Sequence, residues 1–436
     1  MSKKILSLCL IVFITFSVFG NEIVEFDKEH TERYACAFSS LLAQMNALPV
    51  TSFNYGENVD KQCRLILKNS WSITNYEQLI SQIDDLLAHG HNGTFLFLAG
   101  LIEKNENLKP IEIIAKECLT GSEGTRLFYV YSIKDKLGPL AISAWDKARC
   151  INLLRWSISA GYITEEEALQ RAAPIVESLI NEYATWDDFF AHYIAGRQFY
   201  GATDNSSSRL AVDAVKYCKQ VHNKIDFENL PLQGTASFTG LLNYDDTSLL
   251  YEISSEAKRW YELQELFDKF SEKNISKTTN KLAEIKKKQP EYADIPFVEY
   301  FDSMLLSNQK KGADIWRCSF IYDKLKKQLE NIPSDRTLYK WINMDFARIH
   351  LILDRPEKAL DCIALLPDET AKSGYFQMLK GVSYLYLIGT SPDFEVNANY
   401  ESNAYEALSS AESQEYPLSD STLQWMREYE RKRDSN

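Results

Sequence analysis

The chain has 436 residues, 45% hydrophobic and 25% charged, with 24 Tyr and 22 Phe but only 17 Gly and 12 Pro. It is too long for one ordinary core, too apolar for disorder and too poor in turn-formers for a β architecture, which predicts two or three domains built from helices. The formal net charge of −13 becomes −15 without the first twenty residues, which hold two Lys and no acid, and so acidic a surface excludes nucleic acid and anionic lipid as expected partners.

The N-terminus opens with Lys3 and Lys4. The apolar run from Ile5 to Phe19 follows, broken only by Ser and Thr, and then Val18-Phe19-Gly20 before the polar Asn21-Glu22. This is the layout of a cleavable secretory signal cut after Gly20. It predicts export, with a periplasmic location expected and a retained N-terminal anchor as the alternative. The run is shorter than the roughly 20 residues that span a bilayer, so no stable membrane insertion is expected after cleavage.

Seven cysteines follow it: Cys36, Cys63, Cys118, Cys150, Cys218, Cys318 and Cys362. The odd number leaves at least one thiol without a partner in the chain. Wide spacing and the absence of C-x-x-C point to neither a zinc site nor a redox motif. Most read as small buried apolar residues, with Cys36–Cys63 the first candidate bridge.

From residue 27 to about 222 the pattern is helical. Thr74-Asn75-Tyr76-Glu77, Thr164-Glu165-Glu166-Glu167 and Thr185-Trp186-Asp187-Asp188 each place a Thr three residues before an acid, the chemistry of a helix N-cap. The first precedes Leu79, Ile80, Ile83, Leu86 and Leu87. The second precedes Ala168, Ala172, Ile175, Val176, Leu179 and Ile180. Both sets lie at the three- and four-residue spacing of one helix face. Gly90 and Gly161 stand where helices should stop. Gly121-Ser122-Glu123-Gly124 reads as a turn.

Residues 141–200 are the most distinctive. They contain Trp145-Asp146 with Arg149, Leu154-Arg155-Trp156, Gly161-Tyr162-Ile163, Glu167-Ala168, Thr185-Trp186, and Tyr193 with Gly196-Arg197. This series resembles the bacterial family catalogued as domain of unknown function 1266, whose pattern runs W-D-x-x-R, an L-x-R-W-like segment, G-Y-I-x-x-x-E-A, S-W and Y-x-x-G-R. Thr185 stands here for the usual Ser, and Tyr200 for a frequent Trp. Upstream, Trp71-Ser72-Ile73 and Gly90-His91 are similar to the family's W-G-I and G-H elements. The resemblance covers about residues 36–200 and implies a helical domain, but no activity, cofactor or catalytic residue.

Read physically, Asp146 and Arg149 share one helix face at i, i+3. With Arg197 they predict a buried ionic cluster fixing how helices meet, or, on the same charges, a site for an anion or a peptide carboxylate. Trp145, Trp156 and Trp186 read as core and helix-junction residues. His89, His91 and His192 lack the spacing of metal ligands, and no nucleophile elbow, phosphate loop or dinucleotide fingerprint occurs. The candidate binding set is therefore Asp146, Arg149, Arg155, Arg197, His91 and Trp186. No catalytic residue, metal or cofactor is assigned.

Residues 203–208 read as a loop. Residues 226–247, with Pro231, Gly234 and Gly240, carry no helical period. The expected organisation is a signal peptide over 1–20, a helical domain over 21–222, a linker over 223–247 and helical repeats over 248–436. In the last part, Phe346-Ala347 lies in a helix that turns at Asp354-Arg355-Pro356 and returns through Ala359-Leu360. Thirty-four residues after Ala347 comes Gly381, again with an aromatic three positions on, Tyr384. Ala404, Ala407 and Ala411 fit a later return helix. A small residue recurring at this period resembles a tetratricopeptide repeat, in which it lets paired helices approach closely.

The fold expected is thus all-α, an N-terminal helical bundle followed by a tetratricopeptide-like helix-pair array. The function expected is a protein-binding or scaffold module without catalysis. The alternative is an enzyme with a polar site around Asp146, Arg149, His91 and Arg197.

Overall fold

The computed structural model describes residues 27–204, 207–238, 254–308 and 315–435. The expected signal segment and residues 239–247 of the expected linker lie outside them. The described residues form helices and no β-strand, so the protein is all-α. In chain order the helices are α1 (Lys28–Met45), α2 (Asp60–Trp71), α3 (Tyr76–His89), α4 (His91–Lys104), α5 (Pro110–Lys116), α6 (Gly121–Leu137), α7 (Ser143–Ala160), α8 (Glu165–Glu182), α9 (Trp186–Tyr200) and α10 (Ser207–His222). After them come α11 (Ser255–Asp268), α12 (Ile275–Lys288), α13 (Pro296–Ser307), α14 (Ile315–Leu329), α15 (Thr337–Ile352), α16 (Pro356–Ala364), α17 (Asp368–Ala371), α18 (Gly374–Leu387), α19 (Phe394–Ser413) and α20 (Asp420–Ser435).

Cap chemistry explains where several of them begin. Thr164 accepts a hydrogen bond from the Glu167 amide at 3.2 Å, as its position before α8 predicts. At α3 the cap is shifted by one residue: Asn75 Oδ1, not the Thr74 hydroxyl, accepts from the Gln78 amide at 2.9 Å. Gly161 ends α7 at φ +75, the left-handed conformation that glycine adopts without penalty. Gly90 instead serves as the N-cap of α4. Gly121–Gly124 is not the turn expected but the first turn of α6, with Thr120 and Glu123 forming a capping box before it.

The chain divides into two compact units. The first takes the described residues up to Leu87, then Lys147–Trp186 and Tyr217–Thr235. Its buried apolar centre includes Phe38, Phe53, Leu67, Leu154, Trp156 and Leu179. The irregular segment 231–235 is held to the end of α8, where the Gln233 amide donates to the Ile180 carbonyl at 2.8 Å and the Gly234 amide to the Tyr183 carbonyl at 3.0 Å.

The second unit takes Ala88–Asp146, Asp187–Lys216 and the described residues from Ala236 on. One continuous hydrophobic cluster runs through it, from Phe95 and Phe128 by way of Phe199 to Trp260, Leu338 and Phe376. From α11 onward, helices pack on their neighbours in sequence, α15 on α16, α16 on α18 and α18 on α19 among them. Small residues set these approaches. A Cβ on Gly381 would lie 2.5 Å from Leu408 Cγ, and Ala347 and Ala359 are wholly buried.

The C-terminal helices join α5 and α6 through specific polar contacts. Trp260 Nε1 donates to the Gly121 carbonyl at 2.8 Å, and Thr125 Oγ1 hydrogen-bonds Gln264. Arg336 reaches Glu117 twice, Nη2 to Oε2 at 2.7 Å and Nε to the backbone carbonyl at 2.9 Å. Burial raises the Glu117 pKa, but hydrogen bonds from Asn105, Arg336 and Lys104 outweigh it and hold this carboxyl below its usual range.

Candidate functional site

Asp146 lies in the first turns of α7 and is almost fully buried. Its Oδ2 accepts a hydrogen bond from the Asn92 amide at 2.7 Å, satisfying a donor in the first turn of α4. Asn92 answers through its own side chain, whose Oδ1 accepts from the Ile142 amide at 2.8 Å, just before α7. Two helix starts are therefore tied by an exchange of caps. A carboxylate beside the positive end of α4 is also favoured by the helix dipole.

His91 completes this corner. Its Nδ1 is 3.8 Å from Asp146 Oδ1, too long for a hydrogen bond but within reach of an ion pair when the ring is protonated. The imidazole packs edge-on against Phe199 and Tyr200, at centroid separations of 6.3 and 5.6 Å. It keeps 24% of its side-chain exposure and Tyr200 keeps 51%, so the corner opens to solvent. On the other side of Phe199 lies Arg126, its Cζ 5.2 Å from the ring centroid. Burial lowers the Arg126 pKa, partly countered by Glu123 and Tyr200. Arg197 is on α9 one turn before Tyr200, half-buried.

The remaining candidates belong to the first unit. Arg149 is buried, with Cζ 5.4 Å from the Trp71 ring. Arg155 is fully buried: Nη1 donates to Ser39 Oγ at 2.7 Å, Nη2 to the carbonyls of Pro49 at 2.9 Å and Ser52 at 2.6 Å, and the guanidinium lies 4.4 Å from the Tyr55 ring centroid. Trp186 packs between Phe38 and Phe227, both at 4.7 Å, while its Nε1 donates to the Leu230 carbonyl at 2.7 Å. Of the six candidates, Asp146, His91 and Arg197 fall in the second unit and Arg149, Arg155 and Trp186 in the first.

Arg126, Asn92 and Tyr200 were not among the candidates. Arg126 follows the glycines read as a turn, so nothing local marked it, and Asn92 carries no motif. In the sequence Tyr200 stands out only as a substitution at the end of the 141–200 series.

All seven described cysteines are buried, and the thiols of Cys36 and Cys63 are not joined, so Cys36–Cys63 is not a bridge in this structure. Burial pushes the thiols of Cys36, Cys63 and Cys362 up to about 11, away from nucleophile or metal-ligand character. Among the described residues no group of three or more His, Cys, Asp or Glu is placed to hold a metal ion. No helix among them is long and apolar enough to cross a membrane.

A separate feature lies between α11 and α12, a cleft of about 380 Å³. Leu266 and Ile285 give it apolar surface, and Glu262, Glu265, Lys277 and Lys281 give it charges of both signs.

Comparison with known proteins matches residues 66–226 to the family described as Protein of unknown function (DUF1266). The resemblance carried by Trp145, Asp146, Arg149, Gly161, Gly196 and Arg197 is borne out over that stretch, which begins and ends later than the motifs alone suggested. Similar curated proteins include Uncharacterized protein YbeU of Escherichia coli (strain K12), 29% identical over 157 residues, or 35% of this chain and 65% of that protein. Uncharacterized protein YbeR of the same strain is 26% identical over 144 residues, 33% of this chain and 60% of that protein. The chain thus spans under two thirds of the length of these relatives. No solved structure matches it.

Proposed function

We propose that this chain is a non-catalytic binding module whose partner is a polypeptide held along its C-terminal helices, and that it works in the bacterial envelope. The observation that carries the reading is the cleft between α11 and α12. Its apolar strip, flanked by carboxylates and ammonium groups, offers the mixed recognition that an extended peptide needs and that a single-sign ligand does not. The stacking of helices on their sequence neighbours supports it, because such arrays present long continuous surfaces. The corner around Asp146 fits a positioning role, since that carboxylate is engaged in capping α4.

A photo-crosslinking amino acid placed at Lys277 in living cells tests the reading, with Glu428 on α20 as the reference position. The expected outcome is a discrete protein adduct at residue 277 that weakens when Glu262 and Lys281 exchange charge sign. Identical adducts at both positions, or none at 277, would overturn it. Export is tested separately by the mass of the protein recovered from fractionated cells. The apolar run Ile5–Phe19 leads us to expect a mature chain beginning at Asn21 in the envelope fraction.

A further inference from the structure

Arg126 is a charge that the fold does not explain. Its Nε is buried without a hydrogen-bond partner, and among the described residues no hydrogen bond reaches its guanidinium at all. Its contact is the face of Phe199, at 5.2 Å. Arg126 is half-buried and feels the charge of Glu123, but its Nε N–H is taken out of water with no acceptor, and a guanidinium cannot shed its proton to escape that cost. The fork of donors on a guanidinium matches the geometry of a carboxylate or a phosphate, which makes an oxyanion the fitting acceptor.

The surroundings fit that use. Tyr200 is half-exposed and lies near enough to Arg126 to influence its charge. Its hydroxyl can donate to an oxygen. His91 packs on the same aromatic pair and supplies a second cation when protonated. Arg197, one helical turn before Tyr200, is another guanidinium whose Nε is buried without a partner. Arg126 and His91 thus lie against Phe199 from two sides, with Asp146 3.8 Å from His91 and the charge of Glu123 acting on Arg126.

We propose that Arg126, with Tyr200 and His91 beside it, is a binding site for a small oxyanion group, a carboxylate or a phosphate. The bidentate face of the Arg126 guanidinium takes two of its oxygens, and the tyrosine hydroxyl donates to one of them. The site belongs to the segment shared with the DUF1266 family and is independent of the cleft between α11 and α12, so either proposal can fail without the other.

The test is isothermal titration of the full-length protein with three probes at low salt. They are inorganic phosphate, a short N-acetylated peptide with a free C-terminal carboxylate, and the same peptide amidated. Binding of phosphate alone assigns a phosphate site. Binding of the free peptide but not its amide assigns a carboxylate site. Either result supports the proposal if Arg126→Lys weakens binding by roughly tenfold or more, the loss expected when a bidentate pair becomes a point contact. Tyr200→Phe should weaken it less and serves as the variant if Arg126→Lys fails to fold, judged by circular dichroism. Failure of all three probes to bind, binding of the amide as tight as the acid without phosphate binding, or unchanged affinity in a folded Arg126→Lys protein would each overturn it.

Discussion

Two buried basic residues show how the same kind of side chain takes opposite roles. Arg155 spends its donors on the chain itself, on Ser39 Oγ and on the carbonyls of Pro49 and Ser52, and so pins the segment between α1 and α2. Arg155→Ala would leave those buried acceptors unsatisfied, and we expect it to cost about 3–5 kcal/mol in urea unfolding. Arg155→Lys should recover little of this, because one ammonium cannot reach the spread of acceptors that the fork covers. His350 is buried neutral beside Tyr322. Burial chiefly, with Arg355 and Lys358, lowers its pKa to about 4. Its folded value lies below the unfolded one near 6.5, so the unfolded chain binds the proton more readily. The stabilising contribution is therefore complete above about pH 6.5 and is lost as pH falls toward 4, at up to about 1.4 kcal/mol per pH unit. Between pH 7 and pH 4 the urea midpoint of the protein should fall relative to that of His350→Phe, which cannot titrate at this position. A constant difference would exclude His350 as the source.

At the scale of the element, the glycines of α4 and α6 separate two effects of the same residue. A glycine inside a helix ordinarily destabilises it by about 0.5–1 kcal/mol relative to alanine, through backbone entropy. Gly93 in α4 has nothing within 4 Å of a would-be Cβ, so Gly93→Ala should add up to that increment of stability and raise the melting temperature. In Gly124→Ala the same gain is outweighed. The new Cβ would sit 2.5 Å from Trp260 Nε1 and 2.7 Å from Cε2, forcing the indole from its hydrogen bond to Gly121. We expect a lowered melting temperature and altered tryptophan fluorescence. A stabilised Gly124→Ala protein would show that α11 does not depend on this approach. The capping residues follow the same logic of local sterics and hydrogen bonds. They explain why Thr164 starts α8 where its sequence says, while α3 takes its cap from the neighbouring Asn75.

At the scale of the whole molecule, the hydrophobic cluster of the second unit draws on α4 and α6 early in the chain, on α9, and on the helices from α11 to α18. A protein ending at residue 238 keeps Gly121, Gly124, Phe128 and Phe199 but lacks Trp260, Phe297 and Leu338. We expect it to bind a hydrophobic dye, to lose the amide protection of α6 and to melt without cooperativity. A sharp unfolding transition with native-like α6 protection would show instead that the early segments hold their own core. The Arg336–Glu117 and Trp260–Gly121 contacts also join residues more than a hundred positions apart, so their loss should appear in the same truncation. Helical identity, the apolar stripes of α3 and α8, the small residues at 347 and 381 and the kinship of the Trp145–Arg197 series could all be read from the amino-acid string. Periodicity, capping and close approach are local properties that neighbouring residues express by themselves. Which stripe meets which was decided only by tertiary packing: the grouping of separated segments into two units, the exchange of caps between Asn92 and Asp146, and the unpaired Arg126 on Phe199. A periodic pattern specifies that a face must be buried and is silent on the partner that buries it, and a charge left without a hydrogen bond becomes visible only once every neighbour has been placed.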